Sequence, residues 1–365
     1  MSSRWPLGRL REDRSDATPE LPMHYDPTSS LREPVPVLSP TPTGAWVQRV
    51  LRELALQDVL AIAYNSFLLA AALSGSGPLQ AGCIARASFA LFVVGGSILL
   101  VRAEVVRHRV GTVLLYLVGM FATVLGSYFQ MRELLPTATT RRVDEMLYQL
   151  DLSLFGFEPT LWMDQFVTPT TTAWFAFFYF SYFAYLVVHI FPMVLACRRR
   201  RLVADFSLGL VGVYCVAQLG YFALPGFGPY HHLAHLYAHP LPHGFWQDMV
   251  QEAVATSGAL LDIFPSLHTA GPLYIALFSL FHRHEKPFTY TWPVALFFSL
   301  NIIGATLFMR WHYLIDVVVG IALALAWALL SGKLLDLDEA RRRRAGARTP
   351  FWPLLRNAID EGKRL

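Results

Sequence analysis

The chain has 365 residues, of which 54% are hydrophobic and only 15% charged, with a mean hydropathy of +0.40. Soluble domains carry about 25% charged residues, so this composition excludes an ordinary soluble fold and points to a membrane protein. The formal net charge of +4 is almost all arginine, since Lys286, Lys333 and Lys363 are the only lysines, and its spread over separated loops argues against nucleic acid as a partner.

The first 45 residues hold eight prolines (Pro6, Pro19, Pro22, Pro27, Pro34, Pro36, Pro40 and Pro42), many charges and no apolar run. Such a segment cannot bury enough surface to fold alone, so 1–45 is expected to be a disordered cytoplasmic tail. It also lacks the apolar core of about 7 to 15 residues that a signal peptide needs near Met1. Beyond Asp58 the apolar runs are long enough to cross a bilayer, which takes about 20 helical residues. Eight are expected, near 57–73, 84–101, 110–130, 172–197, 202–224, 265–282, 289–309 and 312–334. The fold class is therefore all-α, a polytopic membrane helix bundle of about eight spans, with two accessory helices in 46–109. Between the third and fourth spans, Val143, Met146, Leu147, Leu150 and Leu154 form an apolar stripe with Arg141, Asp144 and Asp151 off it. This spacing predicts an interfacial helix near 140–165. Residues 335–365 form a basic tail whose Arg341–Arg344 run suits anchoring to lipid head groups.

Alternate loops divide the basic residues unequally: one set takes 25 of the 30 lysines and arginines, the other only Arg132, Arg141 and Arg142, with Arg86 and Arg310 near span ends. By the positive-inside rule both termini are cytoplasmic, and the loops at 131–171 and 225–264 face outward. Cys83, Cys197 and Cys215 are too few and too apolar in setting for a disulfide framework or a zinc cluster, and they read as packing residues.

Two stretches at the outer span ends carry chemistry: Phe264-Pro265-Ser266-Leu267-His268, and Arg310-Trp311-His312-Tyr313-Leu314-Ile315-Asp316. Ionisable groups inside a span cost about 2.5 to 3.5 kcal/mol each at mid-bilayer, so several converging at one depth require a reason. His312 and Asp316, four apart, share a helical face on which the carboxylate can hold one ring nitrogen and leave the other basic, as an attacking histidine needs. Pro265 suits the first turn of a helix whose free N–H groups near Ser266 and Leu267 attract an anion, and Arg310, with no acidic neighbour in sequence, offers a planar fork for phosphoryl oxygens.

Pro-Ser-x-His followed by Arg-x-His-x3-Asp at adjacent span starts resembles the type 2 phosphatidic acid phosphatase superfamily, and most of all its inositol phosphorylceramide synthase branch. The resemblance covers roughly 110–334 and implies a six-helix catalytic core with a covalent phosphohistidine mechanism. His312 would be the nucleophile, Asp316 its orienter, and His268 the acid that protonates the leaving oxygen and then activates the acceptor. Arg310 and Ser266 would hold the phosphoryl group. The chain lacks the family's lysine motif on the outer face, has Leu267 after Ser266 where glycine is usual, and has Met309 before Arg310 where serine is usual. Arg132 is the candidate for the missing lysine's charge, with Arg141 and Arg142 behind it, and Leu224–Tyr230 occupies the place of a proline-rich turn over the site. The resemblance implies a phospholipid donor and a lipid alcohol acceptor as partners, no metal and no cofactor. Water as acceptor would make the same site a lipid phosphate phosphatase.

Competing readings are definite. The His312/Asp316 pair alone could be a structural contact between helices, Arg132 could reach lipid phosphate without a catalytic role, and Ser266 could be only a helix cap. His231, His235, His239 and His243 recur every four residues, but Pro240 and Pro242 allow only the first three to share a helical face. Zinc binding there competes with an interfacial loop touching head groups. A proton-coupled lipid transporter would string its ionisable groups across the membrane instead of gathering them at one end. Gln218 and Asn301, inside spans, are expected to bond neighbouring helices.

Overall fold

A computed structural model describes residues 43–362, so nearly all of the proline-rich segment at 1–45 lies outside the described residues. Every regular element among the described residues is helical. In chain order they are α1 (Thr43–Glu53), α2 (Leu56–Ser74), α3 (Gln80–Arg102), α4 (Arg109–Phe121), α5 (Tyr128–Ala138), α6 (Asp144–Phe155), α7 (Pro159–Met163) and α8 (Pro169–Phe191). There follow α9 (Arg200–Ala223), α10 (Pro229–His232), α11 (Phe245–Ser257), α12 (Leu267–Phe281), α13 (Phe288–Phe308), α14 (Leu314–Arg344) and α15 (Leu355–Gly362). Wider π turns extend α4 through Gly126 and α8 through Ala196.

Among the described residues seven helices are long and apolar enough to cross a membrane, and the protein is an integral membrane protein of all-α class. The remaining expected span, the sixth at 265–282, corresponds to α12, which has only 15 residues. At 1.5 Å per residue α12 is about 22 Å long, short for a full crossing. It is enclosed by α8, α9, α13 and α14, so its polar start lies within the bundle and not at a lipid boundary. α9 is the other enclosed helix, buried over 83% of its apolar window, whereas the outer helices bury 28% to 39%. An apolar helix that is buried all round is a core helix, and α9 and α12 together form that core.

Close backbone contact fixes how the core helices meet. A Cβ at Gly320 on α14 would lie 2.7 Å from the Ser266 carbonyl oxygen, so only glycine allows α14 to sit this close to the start of α12. Gly228 has a left-handed φ of +97°, and a Cβ there would lie 2.5 Å from the Trp311 carbonyl oxygen. Asp144 receives the Phe227 and Gly228 N–H groups at 3.1 and 2.7 Å, which pins this loop over the start of α14.

Two expectations change here. The helix expected near 140–165 exists as α6, but Asp144 and Asp151 are on its buried side, while Met146 (44% exposed) and Leu154 (57%) face out. The carboxylates turn inward because each has N–H donors waiting: Asp151 accepts from Leu314 and Ile315 at 2.7 and 2.9 Å and so caps α14. The basic run at Arg341–Arg344 also does more than face lipid. Arg342 is buried, donating to the Glu53 and Thr349 carbonyls, and Phe351, Trp352 and Leu354 fold back into the bundle. The interhelical role expected of Gln218 and Asn301 is present: Gln218 accepts from Tyr64 and Ser127 and donates to the Val124 carbonyl, and Asn301 accepts from Trp174 at 3.0 Å.

Candidate active site

The loops before α6 and α12 and the starts of α12 and α14 build one polar centre. Ser266 is the N-cap of α12; its hydroxyl accepts from the Thr269 N–H at 3.3 Å and from the Thr269 hydroxyl at 3.1 Å. Pro265 therefore precedes the cap and is not in the first helical turn. The Ser266 N–H donates to the Asp316 carbonyl at 3.1 Å, so it is already committed, and this bond ties the two sequence stretches together.

His268, one residue into α12, is held between two aromatic rings of α8. Its ring centroid is 4.6 Å from that of Tyr179, nearly parallel at 12°, and 4.2 Å from that of Tyr182. Tyr182 is in turn fixed by a 2.8 Å hydroxyl contact with Tyr214 on α9. The His268 and His312 ring centroids are 6.4 Å apart at 49°. Behind His312, Asp316 Oδ2 lies 3.5 Å from Nδ1 and accepts the Tyr313 N–H at 3.0 Å. At 3.5 Å the contact is an ion-pair approach and not a hydrogen bond, and Nδ1 is a buried nitrogen without a hydrogen-bond partner. With Nδ1 turned to the carboxylate, Nε2 is the nitrogen left for chemistry.

Arg310 is placed differently from expectation. Its φ of +66° is left-handed, a costly conformation for a non-glycine residue and one that collects at functional sites. Its guanidinium donates to Asp164 at 2.7 Å and to the His239 carbonyl, and lies 3.8 Å above the Tyr237 ring. An acid 146 residues away occupies part of the fork that no sequence neighbour could. Burial pulls the Arg310 pKa down, against the opposing pull of Tyr237 and Asp164. Asp164 also receives the Ala238 and His239 N–H groups and the His239 ring, so Arg310 and Asp164 together lock the 237–239 turn.

Arg132 is engaged with backbone carbonyls. It donates to the Ala255 carbonyl at 2.6 Å and the Gly258 carbonyl at 3.4 Å, closing the C-terminal end of α11. The histidine series does not converge: His231 stacks on Phe227, His232 meets Glu145, His239 meets Asp164, and His243 meets Asp248. The three that could have shared a face are split: His231 is in α10, His235 in a separate short turn, and His239 in the bend beyond it.

Asp262 is a residue the motif reading missed. It accepts from the Tyr128 hydroxyl at 2.9 Å in a ring of tyrosines beside His312, and burial raises its pKa above the usual carboxylate range. Its signal in the sequence was a lone acid four residues before Ser266 in an otherwise apolar stretch. Next to it a small cavity of about 40 Å³ touches His268, Tyr128 and Tyr179 and is walled by Phe183, Val250 and Val254.

The geometry therefore defines an all-α integral membrane protein with two histidines, one on α12 and one just before α14, facing each other at one end of the bundle, the second backed by a buried carboxylate. The family model described as the PAP2 superfamily matches residues 145–330, just over half of the chain, and the chain belongs to that superfamily. The match takes in α6 to α14 with Ser266, His268, Arg310, His312 and Asp316; it starts later than the resemblance read from 110, leaving Arg132 outside. Comparison with curated proteins and with solved structures found no match. Membership supports an enzyme of the lipid phosphate phosphatase or phosphotransferase type.

Proposed function

We propose that the protein moves a phosphate-bearing head group from a phospholipid to a lipid alcohol through a covalent phosphohistidine, in the manner of the inositol phosphorylceramide synthase branch. The observation that carries the reading is the 6.4 Å separation of the His268 and His312 rings, with Asp316 behind the second. An attacking atom sits about 3 to 3.5 Å from its target in a near-attack geometry, so a phosphorus centre between these rings is within reach of both.

In the first step His312 Nε2 forms a bond to phosphorus as the bond to the leaving alkoxide breaks, and His268 gives that oxygen a proton. Asp316 holds the His312 ring and balances its positive charge. In the second step His268 takes a proton from the acceptor hydroxyl, whose oxygen attacks phosphorus and releases His312. Arg310 contributes to the phosphoryl oxygens through donors not spent on Asp164, and its locked turn shields the site. Ser266 acts as a positioning residue, joining α12 to the Asp316 carbonyl. Arg132 holds the end of α11 beside the cavity.

Lipid substrates are supported by the wall of the cavity at His268: Phe183 is 44% exposed on the flank of the bundle, so the path to the site runs sideways through apolar surface. The bias of arginine towards one set of loops supports an outward position for this end and cytoplasmic termini. The cavity is water-sized, which favours hydrolysis as the second reading, with water as acceptor. Purified protein incubated with labelled phospholipid, with and without a lipid alcohol, separates the two. A labelled lipid product that requires the alcohol supports transfer; release of only a phosphorylated head group or inorganic phosphate removes it.

A further inference from the structure

A second polar feature lies at the opposite end of the bundle. α14 runs from the histidine pair to Arg344, and α9 runs from Arg200 towards Gly220, which meets Pro265 at the histidine end. Between the end of α3, the start of α4, Arg200 and the C-terminal segment lies a groove of about 520 Å³, within the usual size range of ligand sites. Its charged lining is Arg102, Arg107, Arg109 and Arg200 against one acid, Glu104.

These arginines differ in kind. Arg102 is fully buried and matched by Asp58 at 2.6 Å, with Tyr116 donating to the same carboxylate. Its guanidinium also donates to the Pro350 and Phe351 carbonyls at 2.6 and 3.0 Å, so it fixes the wall and adds little net charge. Arg107, in the loop between α3 and α4, and Arg200, at the start of α9, are exposed and line the groove, leaving an excess of positive charge that Glu104 alone does not balance. Guanidinium forks from several directions suit the oxygens of a phosphate ester. Val113 and Leu354 add an apolar side, which an amphiphile carrying such a phosphate would use.

We propose that this groove is a second anion site, separate from the histidine pair, which takes a phosphate ester: the head group of an anionic phospholipid or a soluble phosphate ester of similar size. Because residues 349–358 form one wall, an occupant bridges α4, α9 and the C-terminal segment. Occupancy therefore opposes detachment of that segment, without any contact with the catalytic end.

The test uses full-length His312→Ala protein, so that turnover does not consume the probe, in phosphatidylcholine nanodiscs. Trypsin cleavage after Arg356, whose side chain is 47% exposed, reports detachment of α15. One arm replaces part of the lipid with phosphatidylglycerol; the other adds glycerol 3-phosphate to neutral discs. At about ten times its Kd, a ligand that binds only the docked state slows cleavage about tenfold. Protection by lipid alone assigns a membrane source, and protection by the soluble ester assigns a solution source. In either case Arg107→Gln/Arg200→Gln, two exposed substitutions, should abolish protection while its cleavage rate without probe matches the parent. Failure of both probes, or equal protection of the double variant, overturns the proposal. Because the readout is independent of turnover, that result would leave the catalytic reading untouched.

Discussion

His268 is on α12 and His312 lies just before the start of α14, yet their ring centroids are 6.4 Å apart, and only the second has a carboxylate behind it. On the proposed mechanism this asymmetry gives the two rings distinct roles. His312→Ala should abolish turnover and, with it, any acid-labile, base-stable phosphoenzyme trapped with labelled substrate. His268→Asn should lower turnover by about 10² to 10⁴-fold, the usual worth of a general acid or base. A substrate with an activated leaving group should restore label on His312 in the His268 variant, because that step no longer needs the proton. Labelled phosphoenzyme in His312→Ala would show that another residue is the nucleophile.

The approach of the two helices rests on one missing side chain. Gly320→Ala would bring a Cβ to 2.7 Å from the Ser266 carbonyl oxygen and 3.0 Å from the Thr269 Cβ, forcing α14 away from α12. Overpacking of this kind costs about 1 to 3 kcal/mol, and here it also separates Asp316 from Ser266. Lower thermal stability together with reduced turnover is expected. Gly95→Ala on α3, where nothing lies within 4 Å, is the control and should be neutral or slightly stabilising. Equal behaviour of the two variants would show that the contact does not position the site.

Much of this arrangement is legible in the sequence because it is local. Apolar runs of span length identify the helices, and the short step from His312 to Asp316 keeps the two together, although His312 lies just before α14 and does not share the helical face that its spacing suggested. What is not legible is non-local. Asp144 and Asp151 look like the polar face of an interfacial helix and Asp164 belongs to no motif, yet each is buried by donors more than 70 residues away, and no periodicity records such partners. For the same reason Arg310 looks unengaged until Asp164 arrives. Trp352 and Phe351 sit in a short basic segment that hydropathy cannot distinguish from a tail, and only the carbonyl bonds to Arg102 and Gln57 show that it is docked.

The Arg310–Asp164 pair is 9% exposed on each side, so removing one partner leaves a buried charge behind. Breaking such a pair costs about 3 to 5 kcal/mol, more than an exposed pair contributes. Arg310→Gln should lower both stability and turnover. Arg310→Lys should not rescue either, because an ammonium cannot reach Asp164 and the His239 carbonyl while also lying flat on Tyr237. Asp164→Asn should lose stability with a smaller loss of turnover, since the phosphate-facing donors of Arg310 remain. Melting curves and steady-state rates on the three variants test this, and full activity of Arg310→Lys would count against a role for the fork.

Asp262 links stability to pH in a direction opposite to a salt-bridged acid. Burial raises its folded pKa above 3.8, so between 3.8 and that raised value the folded protein keeps a proton that the unfolded chain has lost. Stability from this group therefore falls as pH rises through that window, and the full cost is present above it. Asp262→Asn removes the cost while an amide oxygen still accepts from Tyr128. The variant should melt at a higher temperature than the parent at pH 8, with the gap closing as pH falls towards 4. Turnover should drop at the same time, because the carboxylate beside His312 helps balance the positive charge that ring carries in the covalent intermediate. Parallel melting temperatures across the pH series would remove the buried-charge account, and unchanged turnover would separate Asp262 from the histidine pair.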